Sequence, residues 1–507
     1  MKSSTRVIVN TCAQYTRSII NLVLSLYSTR LILHALGVDD YGIFTLIAGV
    51  VSMLAFMTNA MVTTTQRFMS YHQTKSTLKE QQKIFSNSVL MHVLFGFAII
   101  VLLEIVGFFL FEGFLNIPHN RIVAAKTVYQ CAIMMIILSF IAAPFKALLI
   151  SYENIVYISI IDVLDGVLKV GIALILLSIS HDKLVLYGIL MIAIYLANFL
   201  AFMIYDFRKY ETCIIPKWKY FNKDYFKSMG SFVVWQLYST GCVIGRTQGV
   251  ALVLNRFFGT VINAAYGIAL QVSGAVNFIS SSLVTAINPQ IIKAEGSGNR
   301  DKMFQLAEVA SKFSFLLLAM VVMPLLFILP VILKFWLGEV PEDSVLFCRV
   351  ILITGLVDQI TYGLITANQA IGNIRPYTLT VNTIKVLTVP TLWLLLFFGI
   401  KIESAIWIYA AFELICALTR LPFLKYTGGL NISKFVKNVF GRLVIPSTFL
   451  ILGYYLLHTY STHLVIYPLG IIFITLIYFF LIYKFALNKS EQEILSGIVI
   501  KLKNKIK

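Results

Sequence analysis

Apolar stretches of about 20 residues follow one another along most of this 507-residue chain. A helix of that length crosses the roughly 30 Å of hydrocarbon in a bilayer. Only 13% of the residues are charged, whereas about 25% are charged in soluble domains. Strands of a membrane barrel would alternate in hydrophobicity over about ten residues, and these stretches do not. We therefore predict an all-α polytopic membrane protein with about 14 transmembrane helices, near 6–33, 42–64, 84–110, 125–151, 155–179, 184–206, 228–256, 260–287, 309–333, 347–370, 377–398, 402–424, 443–460 and 464–487.

A short pattern occurs twice, about half a chain apart. The first copy reads Arg30-Leu-Ile-Leu-His-Ala-Leu-Gly37-Val-Asp-Asp-Tyr41-Gly42-Ile43, and the second reads Asn255-Arg256-Phe-Phe-Gly259-Thr-Val-Ile-Asn-Ala-Ala-Tyr266-Gly267-Ile268. Each copy closes one apolar span and opens the next, which indicates a duplication of the kind that builds transporters from two bundles. We therefore predict an N-lobe (1–206, spans 1–6), a cytoplasmic linker (207–227), a C-lobe (228–424, spans 7–12), two added spans (425–487) and a basic tail (488–507).

The basic residues that give the net charge of +18 are distributed in a way that indicates the membrane topology. Most Lys and Arg residues fall in the segments that are cytoplasmic if the N-terminus is inside, and this positive-inside bias predicts that both termini are cytoplasmic. The basic loops are expected to contact lipid headgroups rather than nucleic acid. Six scattered cysteines without a CxxC pair suggest neither a disulfide framework nor a metal site.

Several basic side chains fall inside the predicted spans, where a charge costs several kcal/mol and usually faces a cavity or a partner. Arg17 and Arg246 lie deep in their spans without an acid one turn away. Lys169 has Asp165 one turn before it, so a local ion pair is an alternative. Cations gathered in a bundle suit an anionic cargo, since arginine offers paired donors to phosphate oxygens. The candidate residues of a cationic, substrate-binding cavity are Arg17, Arg30, Lys169, Arg246, Lys385 and Arg349, of which Arg30 and Arg349 lie near enough to a span end to contact headgroups instead.

Three acids also fall inside spans: Glu104, Asp358 and Glu413. Each is a candidate for taking up a proton or a sodium ion and so coupling transport to an ion gradient. The alternative is that each pairs with a buried Lys or Arg. No other cofactor is expected.

The chain resembles the bacterial polysaccharide flippases of the O-antigen and capsule type, in the multidrug/oligosaccharidyl-lipid/polysaccharide exporter superfamily. The resemblance is carried by the first pattern quoted above and by Gln66-Arg67-Phe68, Phe258-Gly259, Ala265-Tyr266-Gly267-Ile268 and Asn288-Pro289-Gln290.

This resemblance implies two six-helix lobes in a V with a central cationic cavity, and two extra helices at the side. It also implies a bacterial inner-membrane location and a cargo, an undecaprenyl-pyrophosphate-linked oligosaccharide repeat unit turned to the periplasmic face. Members of the family share few cavity side chains, so the assignment of Arg17, Arg246, Lys169 and Lys385 depends on their position alone. We expect a monomer that works beside a polysaccharide polymerase.

Three other functions are alternatives. A membrane glycosyltransferase or polymerase needs a catalytic pocket outside the membrane, but the outer segments near 111–124 and 334–346 are short. The sequence has no Asp-x-Asp pair, Walker loop or His/Glu metal spacing, so we do not expect an enzyme. A multidrug exporter of the same superfamily, coupled to an ion gradient, is the closest alternative, and a flippase for lipid II is less favoured.

Overall fold

A computed structural model describes residues 3–52, 55–111, 119–179, 182–337, 340–460, 466–488 and 491–492. Across these ranges the chain is almost entirely helical and forms no β-strand, which confirms the predicted all-α membrane fold. Most of the predicted basic tail, including 493–507, lies outside the described residues, as do parts of both outer segments at 112–118 and 338–339.

The described residues of the first half form six long helices, and a short turn of helix at Trp218–Tyr220 follows them. The helices are α1 (Ser3–Ser52), α2 (Ala55–Lys75), α3 (Leu78–Phe109), α4 (Ile122–Ser151), α5 (Ile155–Leu177) and α6 (Lys183–Lys209).

The second half begins with a helix of 74 residues, α7 (Lys223–Gly296), which bends by 48° between Phe278 and Ser280. Several of the helices after it are shorter or interrupted. They are α8 (Arg300–Leu337), α9 (Ser344–Ile360), α10 (Tyr362–Ile371), α11 (Ile374–Tyr377), α12 (Thr383–Phe397), α13 (Ile402–Ala405), α14 (Ile408–Gly428), α15 (Ile432–Asn438), α16 (Phe440–Tyr460) and α17 (Ile466–Leu481).

Within the described ranges, nine helices are long and apolar enough to cross a membrane, or up to 11 if each of two bent pairs is one span. One bent pair is the part of α7 at Ala265–Phe278 and Ser280–Gly296, and the other is α9 with α10. The predicted number of 14 is therefore not reached by length and composition. Some predicted spans that are not counted are long enough to cross a membrane but contain too many charged residues. For example, α5 has 23 residues and contains Asp162, Asp165 and Lys169.

The chain divides into two compact units. The first, which we call the N-unit, is Val9–Leu237. The second, the C-unit, is Tyr238–Lys507 together with Met1–Ile8. Each unit is described separately below.

The first copy of the repeated pattern breaks α1. Gly37 has φ 79° and ψ 170°, a left-handed φ that glycine adopts without the steric penalty of a side chain. Just after the break, Asp40 Oδ1 accepts a hydrogen bond of 2.8 Å from Arg121 Nε. Arg121 also binds Asp182, at 2.9 Å, and its guanidinium lowers the pKa of that carboxyl below its ordinary value. The pattern therefore ends a span and fixes its end to the starts of α4 and α6.

Candidate functional site

Five charged side chains of the C-unit meet inside its helical core. We call them the C-cluster: Arg246 on α7, Asp358 on α9, Lys385 on α12, and Glu413 and Arg420 on α14. Glu413 lies at the centre, with its carboxylate oxygens 2.8 Å from Arg246 Nη1 and 2.9 Å from Lys385 Nζ. Asp358 Oδ1 lies 2.7 Å from Arg420 Nη2 and 3.6 Å from Lys385 Nζ. Each acid therefore contacts at least two cations.

Irregular backbone places the C-cluster. The axis turns by 47° between α9 and α10, and a turn of this kind frees carbonyl groups that a regular helix would satisfy. Arg420 Nη1 supplies hydrogen bonds at this turn: it donates to the Asp358 carbonyl oxygen at 3.3 Å and to Thr361 Oγ1 at 3.0 Å. A π-helical turn at Thr378–Asn382 precedes α12, and Lys385 follows it by one turn. Such turns are frequent at functional sites.

The C-cluster is mostly buried. The side chains of Glu413 and Arg420 are each 1% exposed, while Asp358 keeps 20% of its surface. Arg246 packs its guanidinium over the Tyr409 ring, 4.3 Å from the ring centroid. Three cations and two carboxylates leave one net positive charge. Asp358 is the most exposed member of the C-cluster.

The N-unit contains a second group with the same number of cations and carboxylates. We call it the N-cluster: Arg17 on α1, Lys146 on α4, and Asp162, Asp165 and Lys169 on α5. Asp162 accepts from Arg17 at 2.5 Å and lies 3.6 Å from Lys146 Nζ. Asp165 binds Lys169 at 2.7 Å, which confirms the local pair that the sequence suggested. Again three cations face two carboxylates.

The N-cluster is more open than the C-cluster. Between 20% and 37% of each of its side chains is exposed. Gln14 Oε1 and Asp162 hold the Arg17 guanidinium, and Asn198 donates to Asp165 at 2.7 Å. Charged side chains exposed within membrane-spanning helices require water or an ionic ligand, because hydrocarbon solvates them poorly.

The structure brings some predicted residues together and leaves others apart. Arg17 and Lys169 fall in the N-cluster, and Arg246, Lys385, Asp358 and Glu413 in the C-cluster. Arg30 is exposed on α1. Arg349 is exposed and donates to the Leu326 carbonyl at 3.1 Å. Glu104 is exposed on α3 and accepts from Gln130 at 3.3 Å.

Two pairings differ from what neighbours along a single helix suggested. Arg17 and Arg246 have no acid one turn away, yet each is paired with an acid on another helix, Asp162 and Glu413 respectively. Asp358 and Glu413, the candidate ion-coupling acids, have no lysine one turn away, yet Lys385 on α12 contacts both. For these two acids, pairing with buried cations is the arrangement found. Their role in coupling stays a prediction.

Sequence reasoning missed Lys146 and Arg420. Both lie toward the ends of predicted spans, where a cation looks like a headgroup contact. Arg420 had a usable signal: it follows Glu413 by seven residues, two helical turns, so both side chains lie on one face of α14. Among the described residues, no group of three or more His, Cys, Asp or Glu side chains could hold a metal ion.

Solved structures with a similar fold are membrane transporters. An outward-facing multidrug resistance MATE family transporter of the MOP superfamily superposes with a TM-score of 0.70 and 12% identity, over 86% of this chain and 97% of that one. This chain has the MATE transporter fold. Vibrio cholerae VcmN, in its bent form, matches with a TM-score of 0.64 and 14% identity, over 86% of this chain and 98% of that one.

A third solved structure with this fold is a MOP superfamily transporter from Pyrococcus furiosus. It is described as having a binding pocket of reverse polarity that suggests a different function, and it matches with a TM-score of 0.70 and 11% identity, over 86% of this chain and 97% of that one.

Sequence comparison adds one curated relative. The uncharacterized membrane protein EpsK of Bacillus subtilis is 23% identical over 336 residues, which span 65% of this chain and 65% of EpsK. No family model matches the chain.

Proposed function

We propose that this protein is a flippase for undecaprenyl-pyrophosphate-linked oligosaccharide repeat units. It moves them by alternating access from the cytoplasmic to the periplasmic face of the inner membrane, for O-antigen or capsular polysaccharide synthesis. The observation that carries this proposal is the N-cluster, in which three partly exposed cations outnumber two carboxylates among the helices of the N-unit.

The excess of positive charge favours an anionic cargo. Coulomb attraction strengthens where water is excluded, and Arg17 offers planar, paired donors that match phosphate oxygens. Asp162 and Gln14 already hold this guanidinium in place, so binding does not have to order a flexible side chain. A cavity for organic cations would instead place carboxylates in excess.

Ion coupling is the second part of the proposal. Asp358 and Glu413 each contact two or more cations, so uptake of a proton or a sodium ion requires those contacts to loosen. Asp358 is the better candidate, because its side chain is 20% exposed and that of Glu413 only 1%. Movement of the helices during alternating access would loosen the contacts between these acids and their cations.

A multidrug exporter is the second candidate. The fold supports it, because one of the similar structures is a multidrug resistance transporter. The Pyrococcus transporter, described by a pocket of reverse polarity, suggests that pocket charge varies among proteins with this fold. Pocket charge is therefore the property to test.

The test is a flipping assay in proteoliposomes with a pyrophosphate-linked, fluorescent oligosaccharide lipid. Arg17→Ala should slow flipping about 10-fold to 100-fold, the effect of losing one charge-assisted contact of about 1.5–3 kcal/mol. Arg17→Lys should restore part of the rate, since a point charge lacks the paired donors. Arg300→Ala, which removes an exposed arginine outside both clusters, is the control and should flip at the normal rate.

The same vesicles separate the two candidates. Export of cationic drugs without any flipping of the lipid would reject the flippase in favour of the multidrug exporter. An imposed proton or sodium gradient should raise the flipping rate, and Asp358→Asn should remove that response. A rate that is indifferent to both gradients would reject coupling through these acids while leaving the flippase in place.

A further inference from the structure

A groove outside both clusters lies between the last turns of α6 and the facing side of α5. It belongs to the N-unit and has a volume of about 380 Å³. Six residues line it: Tyr157, Ala201, Ile204, Tyr205, Arg208 and Lys209.

The groove changes in character along its length. Ala201 and Ile204 form an apolar part, and the Ile204 side chain is 45% exposed. The hydroxyl of Tyr205, the residue after Ile204, and the side chains of Arg208 and Lys209, one turn further along α6, form a polar rim. The apolar part of the groove matches the acyl chain of a phospholipid, and the basic rim at the end of the membrane-spanning helix matches its headgroup.

The aromatic wall of the groove is held in place. The rings of Tyr157 and Tyr205 stack with centroids 3.8 Å apart. Tyr157 donates its hydroxyl proton to the Ala201 carbonyl at 3.0 Å, and Asn154 donates to the Tyr205 hydroxyl oxygen at 2.8 Å. A wall fixed in this way presents a preformed surface, so a ligand pays little to order it.

The basic rim carries two positive charges, Arg208 and Lys209. Lys209 Nζ lies 2.5 Å from the Tyr205 hydroxyl oxygen, a neutral partner. In the described part of the chain, neither Arg208 nor Lys209 forms an ion pair. The negative end of the α6 dipole stabilises both cations. That effect does not explain why an apolar groove lies beside them.

We infer that this groove binds one anionic phospholipid of the leaflet in which α6 ends. The headgroup phosphate lies against Arg208, Lys209 and the Tyr205 hydroxyl, and one acyl chain covers Ala201 and Ile204. The lipid is a resident of the membrane and not the transported cargo. The site is independent of the proposed function, because none of its residues belongs to either cluster.

The experiment measures lipid retention by the full-length protein in detergent, using native mass spectrometry with phosphatidylglycerol and phosphatidylcholine as probes. Wild type should retain phosphatidylglycerol in preference to phosphatidylcholine. Arg208→Ala with Lys209→Ala should weaken retention of phosphatidylglycerol about 30-fold, which corresponds to about 1 kcal/mol for each basic side chain. The matched control is Lys223→Ala with Lys227→Ala, which removes the same charge from exposed positions outside the groove and should retain the lipid.

A second readout separates lipid binding from a purely structural role. Phosphatidylglycerol should raise the melting temperature of wild type and of the control but not of the groove variant. Equal loss of retention in both double variants would overturn the site in favour of diffuse attraction. Stabilisation by free inorganic phosphate alone, or by an undecaprenyl phosphate lipid but not by phosphatidylglycerol, would also overturn the proposal that a resident phospholipid occupies it.

Discussion

At the scale of single residues, Arg420 holds the C-cluster together. Its guanidinium contacts a carbonyl and a hydroxyl at the turn between α9 and α10 and also reaches both acids of the cluster. Planar donors in a fixed fork make these several contacts possible from one buried side chain. Arg420 therefore links the bent backbone to the charges.

We predict that Arg420→Ala destabilises the protein by about 3–5 kcal/mol, because removing one member of a buried ionic group leaves its partners uncompensated. Arg420→Lys should recover only part of that loss, since the ammonium group cannot reach the backbone carbonyl and both acids together. Thermal unfolding in detergent measures the difference.

Arg349→Ala serves as the comparison for Arg420→Ala. Arg349 is exposed, and its hydrogen bond among the described residues goes to the Leu326 carbonyl, so its loss should leave the melting temperature nearly unchanged. Similar losses in both alanine variants would contradict a special role for Arg420.

What the sequence revealed at this scale has a physical limit. The position of a charge within a helix was predictable for Arg17, Lys169, Arg246 and Lys385, because each falls in an apolar run. Partners on the same helix were also predictable, as with Lys169 and its neighbour at i−4. Partners on other helices were not, since hydropathy carries no information on which helices pack together. For that reason the pairing of Glu413 with Lys385 could not be read from the sequence.

At the scale of elements, one glycine permits a close approach between two helices. Gly363, in the first turn of α10, lies where a side chain would collide with the carbonyl of Ala307 on α8. Its backbone N–H donates to Ser311 Oγ at 2.9 Å, which satisfies a donor that the start of a helix leaves free. The two helices can therefore pack with their backbones nearly in contact.

We predict that Gly363→Ala destabilises the protein by at least about 1–3 kcal/mol, the usual cost of overpacking, because a backbone carbonyl cannot rotate away as a side chain can. Gly245→Ala is the matched control, because an added methyl group there would meet no atom within 4 Å. Melting temperatures of the two variants should separate clearly, and a Gly363→Ala protein as stable as the control would contradict the close approach.

The sequence predicted most of the long apolar helices but not their interruptions. An apolar run of about 20 residues identifies a helix long enough to span a membrane, as in α3, α4 and α8. The residues of the turn at Thr361 and of the π-helical turn at Thr378–Asn382 are themselves neither proline nor glycine, although Gly363 and Pro376 each lie two residues away. They depend on side chains from elsewhere, such as Arg420, that satisfy the freed backbone groups.

At the scale of the whole molecule, an ion pair joins α8 to the residues that follow α17. Lys312 is 3% exposed, and its ammonium group lies 2.6 Å from a Glu491 carboxylate oxygen. It also donates to the Ala486 carbonyl at 3.0 Å. The residues that follow α17 thus neutralise a charge buried among earlier helices of the C-unit.

We predict that Glu491→Ala costs about 3–5 kcal/mol of stability, because Lys312 is then buried without its counter-ion. Lys312→Met alone should be tolerated better, and the double variant should recover most of the loss from Glu491→Ala, since the uncompensated charge is gone. Protein yield in membranes and the melting temperature measure this recovery. No recovery in the double variant would show that Glu491 acts through some other contact.

The pairing of Lys312 with Glu491 also sets an order of events during synthesis. The two residues are 179 positions apart, and a ribosome adding about 5–20 residues per second needs about 9–36 s to cover that distance. During that interval α8 contains a lysine with no partner from the later chain. Nascent chains are therefore expected to be most vulnerable to membrane proteases until Glu491 has been added and has reached Lys312, and a premature stop near residue 490 should yield a protein that is inserted but then degraded.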